Sequence, residues 1–454
     1  MSPFALGTSE KENLMIRTLY EVWQLTPLTL AVTFIASISS VLYLYGTTQA
    51  LLRLRHKSPF TVIPAECKIS VLKPMSGLDP QLEQNLDTFV ALEAPEEFEV
   101  IMCVGSENDA CYGIAKSFAE KYSQRFKLVV GTNPHYGNPK MAQLVIGFPH
   151  AKNDFIWISE SNVETSQRFM HGLMAAWKEA NAKQRRKTLV HAPLVAVGGS
   201  ASVGDAMERM HLASFQNSNH EVSLLFGIHA VIGKTVFMHR ADLIALGGIE
   251  AFANYLGEDY MMGRAFQNAG VVVCSAVPTR NVIGQLRVKE WFSRCARWAV
   301  IRKTMEPLVF HTLELFIYSF IPVLLGLFGV INMKIALAAL AIKMLCDIAC
   351  FWAHAEGPPG LGDILVIPLK EALWFATWIY AITTLHVKWR DKAIRLGKNS
   401  MVLTRTAEPS KLRRHWNTMK HVFMDPNQAR PAAAEPLGQV EDQGSDHEAP
   451  PRAS

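Results

Sequence analysis

The chain has 454 residues, of which 49% are hydrophobic and 19% charged, with a net charge of +5. A soluble enzyme usually carries about 25% charged residues, so the composition argues against a wholly soluble protein and for a soluble part joined to membrane segments. The basic excess is too small to argue for nucleic acid and fits Lys and Arg flanking membrane segments near anionic headgroups.

In chain order, residues 1–24 are mixed and polar, with no cleavable signal peptide starting at Met1. Residues 25–52 carry no charge, and a spanning helix needs about 20 apolar residues. Arg53, Arg55, His56 and Lys57 follow at once, which by the positive-inside rule puts the next region in the cytoplasm. That region, 53–300, is expected to be the catalytic domain. Apolar strand candidates at 68–74, 98–104, 127–131 and 154–159 alternate with helical stretches near 80–92 and 110–122. This rhythm predicts an α/β fold with a mostly parallel sheet. Ligands of such sheets sit at the carboxyl ends of the strands.

The polar residues after the second and fourth strand candidates are candidates for chemistry, as are others at turns and on helices, each with a plainer reading beside it. Asp109 follows the second strand and suits a base or ribose, or simply caps the next helix. Lys140, after Gly137-Asn-Pro, suits a phosphate, or is a surface lysine. Glu160 and Asn162 leave the fourth strand candidate as hard oxygen donors for Mg²⁺ or Mn²⁺, or cap a helix. Asp259, in Gly257-Glu-Asp-Tyr260, suits a general base toward an acceptor hydroxyl, or with Glu258 favours the positive end of a helix. Arg294 and Arg297 lie three apart on one helix face with Trp298 beside them. They suit a diphosphate, or an amphipathic helix on acidic headgroups.

Toward the C-terminus, candidate spans fall near 312–331, 335–353 and 364–386. The second is the weakest, because it contains Lys343 and Asp347. The third contains Lys370 and Glu371, read either as a structural ion pair or as part of a lipid site. Three spans would leave the basic segment 388–398 outside, against the positive-inside rule, so one of them is expected to be interfacial or re-entrant. The region 301–390 is therefore a membrane region and 391–454 a basic, then disordered tail. The seven cysteines form no CxxC pair and read as buried free thiols in a reducing compartment, with zinc disfavoured.

The order of these motifs, with Val71–Pro80, Asn138–Lys140 and Gly247–Tyr260, resembles the ceramide glucosyltransferase family, within the inverting glycosyltransferases of GT-A fold. The resemblance covers roughly residues 68–300. It implies a GT-A nucleotide-sugar-binding domain with N- and C-terminal transmembrane helices. It also implies that Asp109 binds uridine, Lys140 lies on the nucleotide side, and Glu160 helps hold the divalent ion. Asp259 would be the base, and Arg294, Arg297 and Trp298 would hold the diphosphate or shape the acceptor site. The chain departs from the family in having Glu160 where Asp is usual and Asn162 where related enzymes carry a second Asp. His220 falls near a family histidine and receives no role.

The reaction so implied moves glucose from UDP-glucose to ceramide with inversion, giving a β-glycoside. The alternatives are UDP-N-acetylglucosamine with a hopanoid or other lipid polyol, a processive polysaccharide synthase, and a non-catalytic membrane protein that binds nucleotide sugar. The expected partners are a UDP-sugar, a membrane lipid and the bilayer, and no nucleic acid.

Overall fold

The computed structural model describes residues 27–55, 64–182, 186–199, 202–311, 314, 320–389 and 392–403. The expected polar segment 1–24, His56 and Lys57, and the expected disordered tail lie outside these. Helix α1 spans Pro27–Arg55. Strands β1 (Ile69–Met75), β2 (Glu99–Val104), β3 (Phe126–Val130) and β4 (Phe155–Ser159) fall on the four predicted segments. Between them lie α2 (Leu82–Val90), α3 (Tyr112–Lys121) and α4 (Pro139–Gly147). Helix α4 starts where it does because Pro139 fits the first helical turn and the Asn138 side chain accepts from the Lys140 and Met141 amides.

Beyond β4 come β5 (Val163–Glu164), α5 (Gln167–Asn181), β6 (Lys187–His191), β7 (Leu194–Gly198) and α6 (Val203–Met210). A π-helical stretch, His211–Gln216, carries α6 into α7 (Asn217–Leu225). Then follow β8 (Thr235–His239), α8 (Arg240–Ala245), α9 (Glu258–Ala269), β9 (Gly270–Cys274) and β10 (Thr279–Ile283).

Seven strands form the central sheet in the order β3-β2-β1-β4-β8-β6-β9. Strand β8 runs antiparallel to both neighbours, and the other pairs are parallel. The architecture is thus the α/β, mostly parallel sheet expected. Every residue of β1 and β2 is buried, as a sheet covered on both faces requires. Alternation divides them. Val71, Val100, Met102 and Trp157 pack on one face, and Leu72, Ile101, Ile156 and Ile158 on the other. A small sheet, β5-β10-β7, lies beside this one.

The C-terminal third is helical: α10 (Val288–Met305), α11 (Pro307–His311), α12 (Phe320–Leu327), α13 (Met333–His354), α14 (Leu361–Leu365) and α15 (Ile367–Ile382). Strands β11 (His386–Trp389), β12 (Lys392–Leu396) and β13 (Val402–Leu403) then form an antiparallel sheet. Among the described residues two helical segments, Thr33–Arg55 and Met333–His354, are long and apolar enough to cross a membrane. Both expose large apolar side chains, among them Phe34, Val41, Leu337 and Leu345, which a water-facing surface does not favour.

The weakest span candidate of the sequence is therefore a long, unbroken helix. The described parts of the other two are short: α12 is an eight-residue helix, and 364–386 is divided between α14 and α15. The charges that weakened the second candidate are paired. Lys343 bonds Asp347 at 2.6 Å and Glu371 at 3.2 Å, and Lys370 bonds Glu371 at 2.6 Å and Asp347 at 3.4 Å. Tyr43 of α1 donates to Asp347 at 2.5 Å. Lys370 and Glu371 are thus half of a buried ion cluster joining α13 to α15, and Tyr43 ties α1 to it.

Candidate active site

The carboxyl ends of β1, β2 and β4 bring their polar exits to one edge of the sheet. Asp109 accepts from the Gly77 amide at 2.6 Å and the Ser76 hydroxyl at 2.8 Å, and closes its own turn through the Cys111 amide at 3.2 Å. It therefore fastens the loop after β1 to the exit of β2. Partial burial would raise its pKa, but these hydrogen bonds win and hold it below the usual carboxylate range. The same loop reaches β4 through Asp79, which accepts from the Ser161 hydroxyl.

Beside Ser161 lies a network of alternating charge. Lys140 meets Glu160 at 3.0 Å and Glu258 at 2.8 Å, and donates to the Gly233 carbonyl at 3.2 Å. Lys234 pairs with the second oxygen of Glu160 and donates to Asn162 Oδ1 at 2.9 Å. Lys73, wholly buried in β1, donates to the Glu160 carbonyl at 2.8 Å. Burial alone would depress Lys140 and raise Glu160. The opposite charges overrule it, holding Lys140 well above the usual lysine range and Glu160 well below the usual carboxylate range. For Lys73 burial wins, and its pKa falls to about 7.

Asp259, in the first turn of α9, is linked to this network through Gly233. Its Oδ2 accepts from the Gly233 amide at 2.7 Å, on the residue whose carbonyl receives Lys140. A side chain at Gly233 would crowd Asp259, its Cβ falling 2.8 Å from that same oxygen. Burial and then the neighbouring Glu258 carboxylate push the Asp259 pKa up to about 7, against the pull of Lys140. Glu258 itself is fixed by Asn138 Nδ2 at 2.9 Å. The turn before α9 is held from a segment that follows the C-terminal helices. Buried Ser400 accepts from the Gly257 amide on Oγ at 3.0 Å and from the Leu256 amide on its carbonyl at 3.0 Å.

On the arginine helix α10, which the sequence reading assigned to the diphosphate or to the acceptor site, Arg294 and Arg297 have different neighbours. Arg294 is engaged 2.6 Å from Glu208, a fully buried carboxylate of α6 that cannot stay charged without a partner. Arg297 lies within the electrostatic reach of Glu160; burial and Arg294 lower its pKa and Glu160 opposes them. Trp298 faces inward, stacked on His211 at 6.1 Å and packed with the cluster of Leu212 and Ile283.

The structure thus gathers Lys140, Glu160, Asn162 and Asp259, and ties Asp109 in through the β1 loop. Sequence reasoning missed Lys234 and Lys73. A Gly-Lys step entering a strand, and a lysine inside an apolar strand, were the available signals, and neither is specific. Glu160 and Asn162 are hard oxygen donors of the kind that suits Mg²⁺ or Mn²⁺, and their oxygens converge on one cation, the Lys234 ammonium. A divalent ion held there would take the place of an ammonium.

A mostly parallel sheet with carboxylates, an amide and ammonium groups converging at its carboxyl edge, carried beside long apolar helices, suits a membrane-associated glycosyltransferase. The comparisons with known proteins agree. The model of glycosyl transferase family 21 matches residues 31–402, and the chain belongs to that family. It is similar to a ceramide glucosyltransferase of Komagataella phaffii, 24% identical over 78% of this chain and 87% of that one. Ceramide glucosyltransferase 1 of Caenorhabditis elegans is 26% identical over 59% of this chain and 57% of its own length. Among solved structures, the mannosyltransferase PcManGT of Pyrobaculum calidifontis, in complex with GDP-Man and Mn²⁺, superposes with a TM-score of 0.42 at 15% identity, covering 77% of this chain and 98% of that one.

Proposed function

We propose that this glycosyltransferase moves glucose from UDP-glucose to a ceramide-type lipid hydroxyl with inversion, on the cytoplasmic face of a membrane. The observation that carries the reading is the link at Gly233: its amide holds Asp259, and its carbonyl holds the lysine that neutralises Glu160. The reacting carboxylate and the charge network for the donor are thereby set side by side.

In this mechanism Asp259 accepts the proton of the lipid hydroxyl. A base works best with a pKa near the working pH, and a value of about 7 meets that. The oxygen attacks the anomeric carbon opposite the departing UDP, so the C–O bond to UDP breaks as the β-glycosidic bond forms. Lys140, Lys234 and Arg297 supply positive charge beside the leaving diphosphate, and Asp109 fixes the loop that receives the uridine. Arg294 positions α10 through Glu208, and Trp298 sets the helix face toward the acceptor side. A divalent ion, Mg²⁺ or Mn²⁺, held by Glu160 and Asn162 would neutralise the developing negative charge. The lipid specificity rests on the similarity to ceramide glucosyltransferases, and the exposed apolar faces of α1 and α13 suit an acceptor delivered from the bilayer.

The test incubates membranes containing the protein with labelled UDP-glucose or UDP-N-acetylglucosamine, ceramide and Mg²⁺ or Mn²⁺. Labelled glucosylceramide with a β-linkage by NMR supports the reading. UDP binding without labelled lipid from either donor supports a binding protein instead.

A further inference from the structure

The chain carries a second cluster of ligating side chains that the glycosyl-transfer reading does not use. His191 ends β6, Cys274 ends β9, and the two are register partners across the parallel pair. His220 of α7 completes the group, its ring 4.8 Å from that of His191. One donor atom from each residue lies within 4.8 Å of the other two. The three side chains line a small pocket together with Arg53, Glu221 and His354.

Three features make this more than a chance meeting. First, His191 is 1% exposed, and neither of its ring nitrogens finds a hydrogen-bond partner among the described residues. A buried polar group in that state calls for an explanation, and a bound ion is one that also accounts for the neighbouring donors. Second, the His220 Nδ1–H donates to the Ala230 carbonyl at 3.2 Å. This fixes the tautomer and leaves Nε2 with its lone pair, the arrangement that metal-ligating histidines show. Third, the nearby guanidinium of Arg53 is matched by Glu221 through two bonds of 2.7 and 2.8 Å, so its charge does not by itself expel a cation.

We propose that His191, His220 and Cys274 bind a zinc ion. Two imidazoles and a thiolate are a borderline-soft donor set that selects zinc over Mg²⁺ or Mn²⁺. Donors of a tetrahedral zinc stand about 3.5 Å apart, given metal–ligand bonds of about 2.0–2.3 Å, so small side-chain rotations close the site. Binding replaces the thiol proton of Cys274 by a sulfur–zinc bond and releases that proton to solvent. His354, which lines the same space, offers a third imidazole as the fourth donor. The ion would pin the β6–β9 edge to α7, which is itself in close contact with the first apolar helix. There Thr47 and Ser218 hydroxyls meet at 3.0 Å, and a side chain on Gly46 would collide with the Ser218 carbonyl.

The experiment uses the full chain, free of any affinity tag, purified in detergent after growth with zinc. Metal analysis is expected to give about one zinc per chain that survives dialysis. Exchange for Co²⁺ is expected to give a thiolate-to-cobalt charge-transfer band in the near ultraviolet. Cys274→Ser should abolish that band and weaken zinc retention at least tenfold, with UDP binding unchanged as a check on folding. Absence of zinc and of the cobalt band from the unaltered, UDP-binding protein overturns the proposal. Retention of stoichiometric zinc in both Cys274→Ser and His191→Ala overturns it too.

Discussion

Asp259 shows how one side chain receives its chemistry from its surroundings. The first turn of a helix favours its charged form, but burial and Glu258 prevail and carry its pKa from 3.8 to about 7. Asp259→Asn is expected to lower kcat about 10²–10⁴-fold, the usual loss of a general base, while UDP affinity stays within a factor of two. Calorimetric titration of UDP beside steady-state rates checks both. The rate should fall on the acid side with a midpoint near pH 7. Lys73, also near 7, could give a limb there, so Lys73→Gln should leave the limb in place if Asp259 owns it. Stability follows the same sign. The folded protein holds this proton more tightly than the unfolded chain, so the contribution is full below about pH 4 and is lost as pH rises through about 7. The Asp259→Asn variant should flatten the melting temperature across that window.

Two contacts between distant elements decide whether the site is held in place. The first is the turn at Asn399–Ser400, both left-handed with φ of 56° and 63°, a region that asparagine enters readily and serine only when the surroundings compel it. Its Ser400 hydroxyl satisfies the amide of Gly257 immediately before α9. Ser400→Ala strands a buried amide, which costs about 1–3 kcal/mol. A lower melting temperature and a reduced kcat with unchanged UDP affinity are the expected readings. The second is the ion cluster of α13 and α15. Asp347→Leu leaves Lys343 and Lys370 to share Glu371, a loss of about 3–5 kcal/mol for a broken buried pair. Detergent-induced unfolding should shift accordingly. Replacing all four charges by apolar residues should cost less than the single change.

The course of the whole chain follows from where the apolar helices begin and end. The Phe310 carbonyl accepts from Trp378 Nε1 at 3.0 Å, and Ser400 is bonded to the turn before α9. Ser400 thus brings the chain back to the catalytic domain after the apolar helices, and it is expected on the same side of a bilayer as the sheet. That course goes with the sequence expectation that one of the three candidate spans is interfacial or re-entrant, and predicts the basic stretch 388–398 on the side of the sheet. Exposed Glu107 and Lys398, each replaced by cysteine, should react with an impermeant maleimide from the same side of sealed vesicles. Labelling from opposite sides would contradict this course.

The strands of the parallel sheet were legible because each is an apolar run of strand length closed by a polar exit, and the sheet's crossover rule then places those exits on one edge. That is why Asp109 and Glu160 stood out before any coordinates, whereas Asp259 stood out by its Gly257-Glu-Asp-Tyr260 segment at the start of a predicted helix. The sequence by itself also fixed the family, through motif order. Pairing was invisible to it. Lys234 sits 74 residues from Glu160, Glu208 lies 86 residues before Arg294, and Ser400 reaches back 143 residues to Gly257. Hydropathy counts a charge as a cost to a membrane helix, and a helix tolerates Lys343 and Asp347 once Lys370 and Glu371 arrive from another. Cysteine spacing likewise speaks only of ligands near in the chain, whereas His191, His220 and Cys274 meet through strand register and helix packing. Local propensity sets which elements form; long-range electrostatics and packing set which side chains share a site.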